Sequence, residues 1–306
     1  MAGITGKDEV LSAYARKLET LDAPKGRSLT QDAIRRLKRN KASVVAIFLV
    51  IFIVLAAFIG PYFLTWGYAE VDWTAIRKPP DFAKGHYFGT DQNGRDMLAR
   101  VLQGTQMSLI VAGVATIVSV SIGVVYGAVA GYFGGRVDAV MMRIVDIMYA
   151  LPYILFVIIL VVMFGRNPVL LFVGIGAIEW LTMARIVRGQ TLSLKEKEFV
   201  EAARAGGAKP WTIILRHIVP NLTGPVVIYA TLTIPEVIIA ESFLSYLGLG
   251  VQEPQTSLGT LISFGAPVAE VLPWMLLAPA GVLVTLLLCF TYIGDGLRDA
   301  LDPKDR

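Results

Sequence analysis

Long apolar stretches alternate with polar, charged segments along this chain. Six of these stretches approach the length of about 20 residues that a helix needs to cross a bilayer. They cover residues 43–63, 107–130, 147–164, 168–183, 225–249 and 272–293. The pattern predicts an all-α integral membrane protein with six transmembrane helices. The fourth stretch is short and contains Glu179, so its helix can extend toward Val187.

The composition agrees with a membrane protein. Hydrophobic residues make up 55% of the 306 residues, which leaves too little polar surface to cover a soluble globule of this length. The single cysteine, Cys289, lies in the last apolar stretch, so a disulfide framework or a cluster of thiolate ligands is excluded. Because about 40 mainly polar residues precede the first stretch, we expect the first helix to be retained rather than cleaved as a signal peptide.

The distribution of basic residues predicts the orientation. Placing both termini in the cytoplasm puts 22 of the 28 lysine and arginine side chains on the cytoplasmic side, as the positive-inside rule requires. The net charge of +4 mostly reflects this asymmetry and does not indicate nucleic-acid binding. A cluster of five basic residues lies directly before the first span, and we interpret it as part of the same pattern, with a specific lipid site as the alternative. They are Arg35, Arg36, Lys38, Arg39 and Lys41.

The predicted spans divide the chain into segments. These are a cytoplasmic N-terminal segment with an amphipathic, basic helix (1–42), the first span (43–64), a periplasmic loop (65–106), a core of five spans (107–295) and a cytoplasmic tail (296–306). Aromatic residues near the start of the loop, Trp66, Tyr68 and Trp73, fit an interfacial belt, and Pro79-Pro80 predicts an extended kink. A loop of this length either docks an external partner or only caps the helices.

Three glycines recur at intervals of four in the second span. Gly123, Gly127 and Gly131 therefore share one stripe, along which another helix can approach the backbone closely. The stripe predicts tight helix packing, either within the chain or against a partner subunit.

The cytoplasmic segment from about residue 193 to 220 has helix signals of its own. Ser193 and Glu196 form a capping-box pattern, which predicts a helix of about three turns that ends at Gly206-Gly207. Pro210 then opens the next helix. Because the late surface of the first helix is small and rich in alanine, we expect it to fit closely into a cleft on another protein.

This segment carries a family resemblance. Glu201-Ala202-Ala203, three residues, Gly207, nine residues and then His217-Ile218-Val219-Pro220 resembles the cytoplasmic EAA loop of ABC importer permeases. His217 and Val219 depart from the residues common at those positions, while the spacing is complete. The resemblance implies that a coupling helix sits in a groove of an ATP-binding subunit. The implied coupling residues are Glu201, Ala202, Ala203, Gly207 and Pro220.

Further motifs are similar to those of the C-type permeases of oligopeptide and dipeptide importers. They are Phe88-Gly89-Thr90-Asp91 with Gly94-Arg95-Asp96, the run 241–250 and the run 294–303. Gln106 replaces an arginine often found in that family. The resemblance, from about Arg27 to the C-terminus, implies the type I permease fold, a bacterial inner-membrane location and a peptide substrate, with dipeptides, glutathione or nickel chelates as alternatives. It also implies a second permease, two ATP-binding subunits and a periplasmic peptide-binding protein as partners.

The chain lacks the motifs of an enzyme. No phosphate-binding G-x-x-x-x-G-K-[ST] sequence occurs, so ATP and Mg are expected on the partner ATPase subunits and no cofactor on this chain. The two histidines, His86 and His217, occur outside any H-E-x-x-H pattern, and we interpret both as loop residues. A non-catalytic transport subunit is the leading hypothesis. An ion-coupled secondary transporter and a membrane-embedded enzyme are the alternatives.

Three carboxylates fall at membrane depth: Glu179, Glu236 and Glu241. Each costs about 2.5–3.5 kcal/mol to insert, so each should face the bundle interior or an aqueous path, where it could bind the ammonium group of a peptide or carry a proton. Alternatively, Glu241 is hydrated near the outer interface, and Glu236 lies at a kink after Pro235. Arg143 and Asp146, three residues apart, predict a local ion pair.

Overall fold

The structure, a computed structural model, describes residues 29–164 and 168–301, so parts of the predicted N-terminal segment and tail lie outside the described residues. Within the described ranges the regular structure is helical, with isolated β-bridges in one loop. The helices are α1 (Leu29–Arg39), α2 (Lys41–Ile59), α3 (Met97–Phe133), α4 (Gly135–Ala150), α5 (Tyr153–Phe164), α6 (Pro168–Leu194), α7 (Glu198–Ala205), α8 (Pro210–Ile213), α9 (Thr223–Tyr246), α10 (Leu258–Gly265) and α11 (Pro273–Leu301). Short 3₁₀ or π turns at Gly60–Phe63, Ile214–Ile218, Val219–Leu222 and Ala266–Val268 extend some of them.

Four helical runs are long and apolar enough to cross a membrane, judged over the described residues. They are Lys41–Phe63, Met97–Phe133, Pro210–Tyr246 and Pro273–Leu301. Between them, α5 has 12 residues and α6 has 27. The all-α class is confirmed, while the total of six spans and the orientation stay predictions.

Helix α3 begins earlier than the apolar pattern predicts. The Asp96 side chain caps its first turn by accepting a hydrogen bond from the Ala99 amide at 2.8 Å, so residues 97–106 are helical rather than part of the loop. With 37 residues, α3 is about 55 Å long, well beyond the hydrocarbon thickness of about 30 Å. Its first turns therefore extend beyond the apolar stretch that is predicted to cross the bilayer.

The glycine stripe of α3 lies against α6 of the same chain. A Cβ added at Gly127 would lie 2.4 Å from the carbonyl oxygen of Ala184, and one at Gly123 would lie 2.6 Å from the Cβ of Met183. At Gly131 the nearest atom is Thr191 Cβ, at 2.7 Å. The stripe thus lets the two backbones approach to a distance that no larger residue permits.

The remaining long helices pack around this pair. A buried cluster joins Val111 and Ala115 of α3 to Val237 and Leu244 of α9. Helix α2 crosses α11 where the Ser43 hydroxyl donates to the Tyr292 carbonyl at 2.9 Å. The core is therefore built of helix-on-helix contacts around α3.

The structure corrects the capping-box prediction at Ser193. That residue lies in the last turn of α6, which continues to Leu194, and Lys197 is the N-cap residue of α7. Helix α7 has eight residues, just over two turns rather than three. Leu194 packs into a cluster with Val200 and Ile213, and this contact favours the continued helix over the local capping signal.

The predicted Arg143–Asp146 ion pair is also wrong. Asp146 instead accepts a hydrogen bond at 2.8 Å from Arg185, whose guanidinium lies over the Tyr149 ring. One turn further on, Arg188 donates two hydrogen bonds of 2.6 Å to the Asp138 carboxylate. Both contacts join α4 to α6, because the arginines of α6 reach across the groove between these helices.

Candidate functional site

The segment 195–222, predicted to be cytoplasmic, folds as an ordered surface element of which α7 is the outer part. Val200 is the fully buried residue of α7, and it packs against Ile213, Ile214 and Ile218 in the helical run that follows. The same cluster contains Met183 and Val187 of α6 and Ala128 of α3. Helix α7 is therefore packed against α3 and α6, and it is connected to α9 through α8 and the turns that follow it.

The predicted coupling residues lie on the outer side of this element. Glu201 and Ala202 are exposed, Ala203 is half-buried, and both Gly207 and Pro220 are exposed. Three large apolar side chains lie on the same segment: Phe199, Trp211 and Leu215 are 40%, 54% and 57% exposed. Their exposure makes the segment an apolar contact surface with Glu201 within it. We did not single them out from the sequence, although large apolar residues in an otherwise polar segment are a usable signal.

A Schellman turn ends α7 and fixes its angle to α8. The Gly207 amide donates to the Arg204 carbonyl at 3.0 Å, and the Ala208 amide donates to the Ala203 carbonyl at 3.1 Å. Gly207 adopts φ +76°, a conformation that L residues with a side chain rarely adopt, whereas Gly206 has φ −71°. Only the second glycine of the pair is therefore required by the backbone.

Two of the carboxylates predicted at membrane depth lie on helices that pack together, α6 and α9. Glu179 of α6 is partly buried and Glu236 of α9 is exposed, and the two are close enough for their charges to interact. Repulsion between two carboxylates in a helix bundle favours a cation or a proton beside them. The structure thus brings together two of the three acidic residues that the sequence singled out.

The third carboxylate, Glu241, is fully buried among hydroxyl groups. It accepts hydrogen bonds from Ser108 of α3 at 3.0 Å and from Ser245 of α9 at 2.6 Å. Ser257, at the start of α10, donates to the Ser245 hydroxyl at 3.2 Å. The alternative that Glu241 is hydrated is wrong, because these three helices enclose its side chain.

The motif from Phe88 to Asp96 is a folded junction rather than a loose loop. The Asp91 carboxylate accepts hydrogen bonds from Arg95 Nε at 2.9 Å and from Arg100 of α3. Arg95 also donates to Glu253, which lies between α9 and α10, at 2.7 Å. A Cβ at Gly94 would lie 2.5 Å from the Asp72 carbonyl oxygen, so the loop closes tightly on itself.

His86 lies in this loop, as predicted, but it is 1% exposed. Its Nδ1 lies 2.9 Å from an oxygen of Asp96, its Nε2 lies 3.4 Å from an oxygen of Asp72, and its ring stacks on Trp66. His86 thus ties the loop to the N-terminus of α3. The described part of the chain contains no group of three histidine, cysteine or acidic side chains suited to a metal ion.

Comparison with known proteins finds relatives along nearly the whole chain. Residues 123–306 match the family of binding-protein-dependent transport system inner membrane components, and residues 28–80 match the N-terminal TM domain of oligopeptide transport permease C. The chain is 53% identical to the oligopeptide transport system permease protein OppC of Escherichia coli (strain K12), over 97% of each chain. It is 43% identical to the dipeptide transport system permease protein DppC of Bacillus subtilis (strain 168), over 91% of this chain and 87% of that one.

A solved structure of the MetNI methionine ABC transporter in inward-facing conformations is similar in fold. The superposition has a TM-score of 0.55 and covers 67% of this chain and 97% of that chain, at 20% sequence identity. At this identity the likeness shows the fold alone, and it confirms the ABC type I permease fold that the motifs predicted.

Proposed function

The chain belongs to the family of binding-protein-dependent transport system inner membrane components, and we propose that it is a membrane-spanning subunit through which an ATP-driven importer passes oligopeptides. The observation that carries this proposal is the EAA segment, an exposed short helix braced by Val200 against the long helices. Such an element suits a subunit that receives mechanical work from another protein. Dipeptides are the alternative substrate.

We propose that the chain crosses a bacterial inner membrane six times, with both termini in the cytoplasm. The contacts between segments support this topology. Arg204 of α7 lies over the ring of Tyr132 at the end of α3, so two predicted cytoplasmic segments meet. At the opposite end, Arg95 of the first loop pairs with Glu253, so two predicted periplasmic segments meet.

The surface of α7 is the proposed docking site for an ATP-binding subunit. Glu201 and Ala202 are exposed on α7, and Phe199, Trp211 and Leu215 supply exposed apolar area on α7 and on the run that follows it. Burial of aromatic side chains gives such contacts most of their free energy. ATP, Mg and the hydrolysis step belong to two partner ATPase subunits, and this chain contributes no catalytic residue and no cofactor site.

The other proposed partners act on the membrane and on its outer side. A second, homologous permease completes the translocation path, and a periplasmic binding protein delivers the peptide. Glu179 and Glu236 are proposed to line the path, where paired carboxylates offer a site for the ammonium group of a peptide. Because Glu241 is enclosed by serine hydroxyls, we assign it to helix packing instead.

The test is uptake of a labelled oligopeptide into proteoliposomes that contain the complete complex and an external binding protein. We expect uptake to require ATP at the ATPase side and to be unaffected by collapse of the proton gradient. A labelled dipeptide of similar charge separates the two substrate classes. Uptake that persists without ATP but requires a proton gradient would contradict the proposal and favour an ion-coupled transporter that uses Glu179 and Glu236.

A further inference from the structure

A groove runs along the seam between α2 and α11 on the outer surface of the bundle. It has a volume of about 500 Å³. Its floor contains Ala46 and Cys289, which are both buried, and its walls contain Val45, Leu49 and Leu288, which are each at least 40% exposed. From Lys41 to Leu49 the groove follows α2 for about 12 Å. Its shape and apolar lining suit an extended hydrocarbon chain.

Lys41 closes one end of the groove, at the N-terminus of α2. Lys38 and Arg39, in the last turn of α1, are exposed beside it, and neither they nor Lys41 forms an ion pair with any other described residue. Helix α1 packs against α11, so these cations stay at this end of the groove. Asp295 and Asp299 are exposed acids on the same stripe of α11, and the three cations Lys38, Arg39 and Lys41 outnumber them.

We propose that this groove binds an anionic phospholipid, with one acyl chain between α2 and α11 and the phosphate at Lys41. The charge complementarity selects this occupant, because an apolar groove that ends in unpaired cations matches a hydrocarbon chain that ends in a phosphate. The basic cluster before the first span then has a specific role beyond orientation.

Native mass spectrometry of the complete complex, titrated with phosphatidylglycerol or with phosphatidylcholine of the same acyl chains, tests the charge selection. We expect phosphatidylglycerol to bind more tightly. Lys41→Ala should weaken its binding about fivefold, since one basic residue at a membrane surface contributes about that much. Ala42→Phe, at an exposed lining position, should reduce binding of both lipids, whereas Ile51→Phe, exposed on α2 outside the groove, should change neither. Equal affinity for the two lipids in the wild type would overturn the proposal.

A diazirine analogue of leucine in place of Leu49, which adds little bulk to the groove wall, identifies the occupant in the assembled complex, and it decides the question even if Lys41→Ala fails to assemble. We expect a lipid adduct on this chain after illumination in native membranes. An adduct with the second permease or with another subunit would show that a protein covers the groove, and it would overturn the proposal.

Discussion

Replacement of Gly127 by alanine should separate α3 from α6, while the same change at Gly113 should not. A Cβ at Gly127 would lie 2.4 Å from the Ala184 carbonyl oxygen and 2.9 Å from the Arg188 amide nitrogen, and neither backbone atom can rotate away. A Cβ at Gly113, on the same helix, would meet nothing within 4 Å. The two substitutions therefore differ in steric overlap and hardly at all in chemistry.

The magnitude follows from this difference. Each substitution gains up to about 1 kcal/mol because alanine is the better helix former. Overpacking of a close helix contact costs about 1–3 kcal/mol, and the two backbone atoms place Gly127 in the upper half of that range. Gly113→Ala should thus be neutral or slightly stabilising, and Gly127→Ala should be less stable than Gly113→Ala by about 2–3 kcal/mol.

Denaturant unfolding of the purified complex in detergent, followed by tryptophan fluorescence, measures the two variants side by side. Trp180 packs next to the α3–α6 contact and reports on it. If Gly127→Ala were as stable as Gly113→Ala, the two helices would not be in contact at this stripe, and the packing described for α3 would be refuted.

Other contacts give predictions of the same kind. Glu241→Leu leaves the hydroxyls of Ser108 and Ser245 without their acceptor and should destabilise the complex by about 1–3 kcal/mol in the same unfolding assay. Glu241→Gln still accepts a hydrogen bond, so its loss of stability should be less than half as large. Equal costs would argue against a hydrogen-bonded Glu241. The hydrogen bonds from Arg188 lower the pKa of Asp138. The stability that this ion pair provides is therefore fully present above the ordinary carboxyl pKa of about 4. It is lost as the pH falls through the lowered pKa. The difference in melting temperature between wild type and Asp138→Asn should therefore be constant from pH 7 to about 5 and should shrink below about pH 4. If this difference did not vary with pH, the ion pair would not be the source of the lost stability.

The sequence predicted those features that depend on periodicity. The spacing of Gly123, Gly127 and Gly131 defines a stripe whatever helix faces it, but it cannot identify α6 as the neighbour, since that requires the tertiary contact. The start of α3 was missed because Arg100, Gln103 and Gln106 interrupt the apolar pattern in the turns that follow the Asp96 cap.

Local signals also failed where packing overrides them. Ser193 and Glu196 have the spacing of a capping box, yet the burial of Leu194 keeps α6 helical through Ser193. Glu241 could not be separated from Glu179 and Glu236 by sequence, because its environment is set by serines that lie far from it along the chain. The fold itself followed from the family motifs rather than from composition or spacing.

The central claim is that α7 links the ATPases to the membrane helices, and the glycine pair that ends α7 tests it most directly. ATP-dependent peptide uptake by the reconstituted complex should be compared for Gly207→Val and Gly206→Val. Gly207 has a φ of +76°, where a side chain costs about 1–2 kcal/mol, equivalent to about tenfold in an equilibrium constant. Gly206 has a φ of −71°, which a residue with a side chain adopts without this cost. Both glycines are exposed, so each variant adds one valine side chain at the exposed end of α7.

We predict that the permease pair still assembles with Gly207→Val. The variant complex should either transport much less peptide per ATP hydrolysed or fail to retain its ATPase subunits. Gly206→Val should transport at a rate close to that of the wild type. If Gly207→Val transported as well as Gly206→Val, with the same ATP consumption, α7 would not be the coupling element and the account would be contradicted.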